Sequence, residues 1–183
     1  MQDEISEEKY KISEKFNQGI VSINLPQIAI IADEDEKNFY KILDERLELC
    51  KEALLCRHYQ LLGTISDISP ILWQNGAIAR LEKGEKIDKL LYSKYSSLSL
   101  GYIGTSEMAE IMKKDGNIEE KNKFVLNVIK NLKETIEKWK KETNIGFVLD
   151  GHPPENVGVK FALKDKERYG IIENVTDKGY YTN

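Results

Sequence analysis

Three short stretches carry residue types that could do chemistry. The first is "SINLP", where Asn24 stands before Leu25 and Pro26. Asn prefers turns and Pro cannot donate to a sheet ladder, so this reads as a strand ending on a side-chain amide. An amide both donates and accepts hydrogen bonds without adding charge. The second is "SLGYIG", with Gly101, Tyr102 and Gly104 at another strand end. The third is "LDGHPPENV", where Asp150, Gly151, His152, Pro153, Pro154, Glu155 and Asn156 lead from a strand into a helix. Prolines suit a helix start, where N–H groups lack partners anyway. His58 lies inside a helical stretch, which suits a satisfied structural histidine better than a ligand. No nucleophile–base pair and no cysteine or histidine cluster of metal-site spacing is visible.

The elements that must position these residues follow from periodicity. Gly19 to Leu25 reads as a first strand, stopped by Pro26. Phe39, Leu43, Leu47, Cys50 and Leu54 recur at three and four, which predicts a helix over Asp35–Leu62. Asp33 or Asp35 suits its cap and Gly63 its stop. "SDISPILWQNGAIARL" reads as an irregular, partly buried connection. Ser96–Gly104 reads as a second strand, with Thr105 capping a short helix after it. Phe124, Val128, Leu132, Ile136 and Trp139 predict a helix over Ile118–Glu142, broken by Asn144 and Gly146. "IGFVLDG" reads as a third strand, followed by a helix from Pro153 to Arg168. The closing "VTDKGYYTN" reads as a turn, with no role assigned to Tyr180, Tyr181 or Asn183. Apolar strands alternating with helices indicate a parallel sheet covered by helices, an α/β fold. In such folds ligands lie at the carboxyl ends of the strands, where all three stretches fall.

Bulk composition narrows the function classes. The chain has 183 residues, 40% of them hydrophobic, enough for one compact domain. A net charge of −4 advertises no basic face, which argues against nucleic acid or an anionic membrane surface as partner. Residues 1–15 read as a mobile polar leader and 16–183 as the folded segment. The leader has no apolar core, so it is read as neither a signal peptide nor a membrane span. The two cysteines, Cys50 and Cys56, fall on different faces of one helix. They are expected to be reduced, buried or semi-buried thiols of a cytoplasmic protein.

The segments "FNQGIVSINLPQIAI", "LDERLELCKEAL", "SPILWQNGAIARL", "SLSLGYIG", "ETNIGF" and "VTDKGYYTN", in this order, resemble the anaerobic, class III ribonucleoside-triphosphate reductases. The resemblance runs from about Phe16 to Asn183. It implies a ten-stranded α/β barrel of the glycyl-radical enzyme type, of which this chain would supply about four strand–helix units. It also implies reduction of ribonucleotides to deoxyribonucleotides for DNA synthesis, by radical chemistry with formate as reductant. In the family a glycyl radical generates a thiyl radical on a cysteine in a Gly-Cys-Arg motif, and a structural zinc sits near the radical glycine. No Gly-Cys-Arg precedes Asn24, and Cys50 and Cys56 lie on a helix, so neither inherits the thiyl role. The expectation is an internal slice of a reductase, without catalytic residues of its own and inactive alone. Its implied partners are a ribonucleoside triphosphate, the remainder of the barrel and a radical-activating enzyme. The alternative is a degenerate stand-alone module that binds a nucleotide or another chain.

By the same resemblance Asn24 lies close to the substrate ribose, and Gly101 and Tyr102 line the barrel mouth. Gly151, His152, Pro153, Glu155 and Asn156 match the turn and helix start that receive substrate phosphates. Asp150 and His152 depart from the family pattern there, and Pro154 removes an N–H donor. Asp150 also sets negative charge beside phosphate, so two of the departures oppose anion binding.

Overall fold

The structure is a computed structural model that describes residues 16–92, 95–151 and 155–182. The expected leader and the candidates His152 and Pro153 lie outside the described residues, as do Pro154 and Asn183. Three strands form one parallel sheet in the order β1 (Phe16–Asn24), β2 (Ser96–Ile103), β3 (Phe147–Asp150). Helices α1 (Leu25–Ala32) and α2 (Glu36–Leu61) follow β1. Helices α3 (Thr105–Met112) and α4 (Ile118–Thr143) follow β2, and α5 (Glu155–Tyr169) follows β3. The described residues therefore hold three strand–helix units, against the four expected.

The long helices form where the apolar stripes place them. Phe39, Leu43, Leu47, Cys50 and Leu54 are the buried face of α2, and Phe124, Val128, Leu132, Ile136 and Trp139 that of α4. Both stripes pack with Leu98, Leu100 and Phe147 of the sheet in one core. Asp35 caps α2 by accepting from the N–H groups of Lys37 and Asn38. Asn117 and Glu120 close a reciprocal capping box on α4, and Asn144 ends it in the left-handed region at φ 57°. Strand β2 lies between two partners and is buried along nearly its whole length, which explains its unbroken apolar and small-residue run.

The stretch from residue 66 to residue 81 is irregular and partly buried, as expected. Pro70 opens a single helical turn to Trp73, and Trp73, Ala79, Leu81, Ile87, Leu90 and Leu91 make a small second core beneath it. His58 is 1% exposed and its Nδ1 lies 3.0 Å from Gln18 Oε1, so it is the satisfied structural histidine expected.

Four local readings change. Strand β1 starts at Phe16 rather than Gly19 and ends at Asn24, and "LPQIAIIA" is helix α1 rather than a stop. Pro26 sits in the first helical turn, where a missing N–H costs nothing. Leu25, Ile28, Ala29 and Ala32 bury one face at helical spacing. The cap of α3 is Gly104, at φ 81°, not Thr105, because the chain must reverse too sharply there for an ordinary residue. Cys56 is exposed while Cys50 is buried, since six residues rotate it away from the sheet.

Candidate functional site

The parallel register aligns the three strand ends. Asn24 pairs with Ile103 and Ile23 with Tyr102, while Gly101 stands between Ser22 and Asp150. The candidates Asn24, Gly101, Tyr102 and Gly151 thus gather at one end of the sheet, where the strands terminate. Gly101 and Gly151 are glycines because neighbours crowd them. A Cβ on Gly101 would stand 2.7 Å from Ser22 Oγ, and one on Gly151 would stand 2.8 Å from the Tyr102 hydroxyl. Tyr102 therefore lies against Gly151 and joins the second and third stretches. Asn156 lies exposed in the first turn of α5, the helix that follows β3.

Asn24 does two jobs at the end of β1. Its Oδ1 accepts the Gln27 backbone N–H at 3.2 Å and caps α1. Its Nδ2 donates to Asp165 Oδ2 at 2.7 Å. Asp165, on α5, is 0% exposed. It also accepts from Gln27 Nε2 at 2.6 Å and from the Tyr181 hydroxyl at 3.0 Å. Burial raises the Tyr181 pKa above its ordinary value, with the Asp165 charge next, so the phenol keeps the proton it donates.

The last described residues are bound into the same end of the sheet. Gly104 N–H donates to the Thr182 carbonyl at 2.6 Å, and Tyr181 N–H to the Gly158 carbonyl at 3.3 Å. Thr182 donates from its N–H and its hydroxyl to the buried Glu107 carboxylate at 2.9–3.2 Å. A Cβ on Gly158 would stand 2.8 Å from the Tyr181 carbonyl, so α5 approaches the closing segment only through glycine. A cleft of about 280 Å³ opens beside Asn24, lined also by Ser22, Gln27, Arg46, Cys50 and Phe161.

Gln27, Asp165, Tyr181, Glu107 and Thr182 were not singled out from the sequence. One signal was present. Gly158, Ala162 and Asp165 recur at four and three on the buried face of α5, and an acid on such a stripe demands partners.

A family model described as anaerobic ribonucleoside-triphosphate reductase matches residues 2–183. The chain belongs to this family. The anaerobic ribonucleoside-triphosphate reductase of Haemophilus influenzae is 39% identical over 171 residues, covering 91% of this chain and 24% of that protein. That of Escherichia coli is 36% identical with the same coverage, and that of Enterobacteria phage T4 is 36% identical over 172 residues, 27% of its length. The chain thus spans about a quarter of the curated reductases it matches. Among solved structures, the Thermotoga maritima anaerobic ribonucleotide reductase with citrate in its active site superposes with a TM-score of 0.66 at 25% identity, covering 89% of this chain and 29% of that one. The same reductase in complex with dATP and CTP gives 0.66 at 25% identity over 88% of this chain and 26% of that one. The fold the reductase segment shares with them is mixed α/β with a parallel three-stranded sheet.

Among the described residues, no group of three or more His, Cys, Asp or Glu is placed to hold a metal. Among the same residues, no helix is long and apolar enough to cross a membrane.

Proposed function

We propose that this chain forms part of the catalytic α/β barrel of an anaerobic ribonucleoside-triphosphate reductase, and that its strand ends hold the substrate. The whole enzyme would reduce ribonucleoside triphosphates to deoxyribonucleotides for DNA synthesis, with a glycyl radical, formate and an activating enzyme outside these residues. The observation that carries the proposal is the family match across residues 2–183, with Asn24 set at the carboxyl end of β1. Further strands would pair along the outer edges of β1 and β3 to close the barrel.

In this reading the Asn24 carboxamide hydrogen-bonds a ribose hydroxyl. Gly101 and Gly151 let Ser22 and Tyr102 pack closely at the sheet end, and Tyr102 forms a wall beside the sugar. The triphosphate falls to Gly151, His152, Pro153, Glu155 and Asn156, since a helix N-terminus suits an anion. Asp150 repels phosphate there, so this contact is weak.

The test is a full-length reductase in which this segment replaces its own. With formate and the activating enzyme it should form deoxynucleotide from ribonucleoside triphosphate, and Asn24→Ala should lower turnover about tenfold, as for one lost hydrogen bond with a partner left bare. Unchanged turnover in Asn24→Ala would remove the ribose role. For the phosphate turn, CTP titration followed at the Gly151 and Asn156 amides should show no saturation below millimolar ligand. Micromolar saturation there would show that Asp150 does not weaken the site.

A further inference from the structure

Asp165 lies among three donors. Asn24 Nδ2, Gln27 Nε2 and the Tyr181 hydroxyl all point at its two oxygens, at 2.7, 2.6 and 3.0 Å. The carboxylate is fully buried and 141 residues away from Asn24 in the chain. The Asn24 amide is held at its other end by the Gln27 backbone N–H. Its orientation is therefore determined by chemistry. Turning the amide over would set Oδ1 against the Asp165 oxygen and Nδ2 against a backbone N–H. Both contacts would become repulsive, and a buried group would lose its partner.

We infer that Asp165 is a positioning residue, which locks the Asn24 carboxamide so that it offers its second N–H, as a donor, to a ligand oxygen beyond the carboxyl end of β1. Gln27 and Tyr181 hold Asp165 in turn, so the orientation at the end of β1 depends on α5 and on the closing segment. The ligand group that suits such a site is a hydroxyl or ether oxygen accepting a hydrogen bond. Its identification with a ribose hydroxyl rests on the function proposed above. The orientation of Asn24 does not.

The first measurement needs no variant. In the isotope-labelled chain, a scalar coupling through the hydrogen bond should connect Asn24 ¹⁵Nδ2 to Asp165 ¹³Cγ. Its absence overturns the inference. In Asp165→Ala, the Asn24 side-chain amide protons should exchange with solvent at least tenfold faster, while the Leu98 and Leu100 backbone amides keep their protection. Asp165→Asn should restore slow exchange, because Gln27 can turn its own amide to offer an oxygen. Unchanged Asn24 exchange in Asp165→Ala overturns the inference. If that variant does not fold, the wild-type coupling and the Asp165→Asn exchange decide the question.

In the full-length reductase carrying this segment, Asn24→Ala and Asp165→Ala should each lower kcat about tenfold with KM nearly unchanged. The double variant should be no slower than the slower single one, since Asp165 would act only through Asn24. Additive losses overturn the positioning role. A coupling that is present while Asn24→Ala leaves kcat intact overturns the ribose reading alone and leaves the locked amide standing.

Discussion

Replacing Asn24 with Asp keeps the helix cap and destroys the contact behind it. Asp caps helices as well as Asn, so the bond from the Gln27 N–H survives. The other oxygen of the new carboxylate would fall where Nδ2 now stands, 2.7 Å from Asp165 Oδ2. Two unit charges about 4 Å apart at an effective dielectric of 20 repel by about 4 kcal/mol. That repulsion is relieved when the pair shares one proton, so the folded variant binds a proton more tightly than the unfolded chain does. The folded variant then holds a proton that the unfolded chain releases, so its stability rises as pH falls. Relative to wild type, Asn24→Asp should lose roughly 4 kcal/mol at pH 8. It should regain part of that loss as pH falls from 8 to 5. Asn24→Ser also keeps a cap but carries no charge, and should lose about 1–3 kcal/mol at every pH. Urea unfolding followed by circular dichroism from pH 5 to 8 reads both. An Asn24→Asp penalty that is the same at pH 5 and pH 8 would refute the contact between Asn24 and Asp165.

Gly104→Ala should cost about 2–5 kcal/mol in urea unfolding, combining a left-handed backbone at φ 81° with a Cβ that would overlap the Pro26 ring; a loss below about 1 kcal/mol would show that α1 and β2 are not packed this closely. Native protein should react with a thiol reagent at Cys56 alone and at both cysteines in urea, because Cys50 is buried and its thiol is pushed up to about 11; equal rates at both would refute the burial of α2 on the sheet. His58 should titrate below its ordinary value of 6.5 by NMR, since burial disfavours its charged form. The unfolded chain then takes the proton first, so His58 contributes a loss of stability as pH falls below about 6.5. A midpoint at or above 6.5 would contradict its buried contact with Gln18.

Sequence reading succeeded where neighbours along the chain decide the outcome. The stripes of α2 and α4, the Asp35 cap and the Asn144 stop are set by residues within a turn of each other, and they fell within a residue or two of expectation. Helix α1 was missed because Asn24 serves at once as strand end and helix cap, and "NLP" suits either a stop or a start. Family membership was legible as well, because its motifs survive as ordered strings over most of the chain.

The sequence by itself determined the long helices, the alternation of strands with helices and the placement of Asn24, Gly101, Tyr102 and Gly151 at strand ends. Parallel pairing then brings those strand ends together at one end of the sheet wherever strands alternate with helices. Only the tertiary structure decided what Asn24 touches. Its partner Asp165 lies 141 residues away, and Tyr181 reaches the same carboxylate from the closing segment. No local propensity encodes such a contact. It exists because the packing of α5 on the sheet buries an acid, and a buried acid must be given donors by whatever elements the fold places around it.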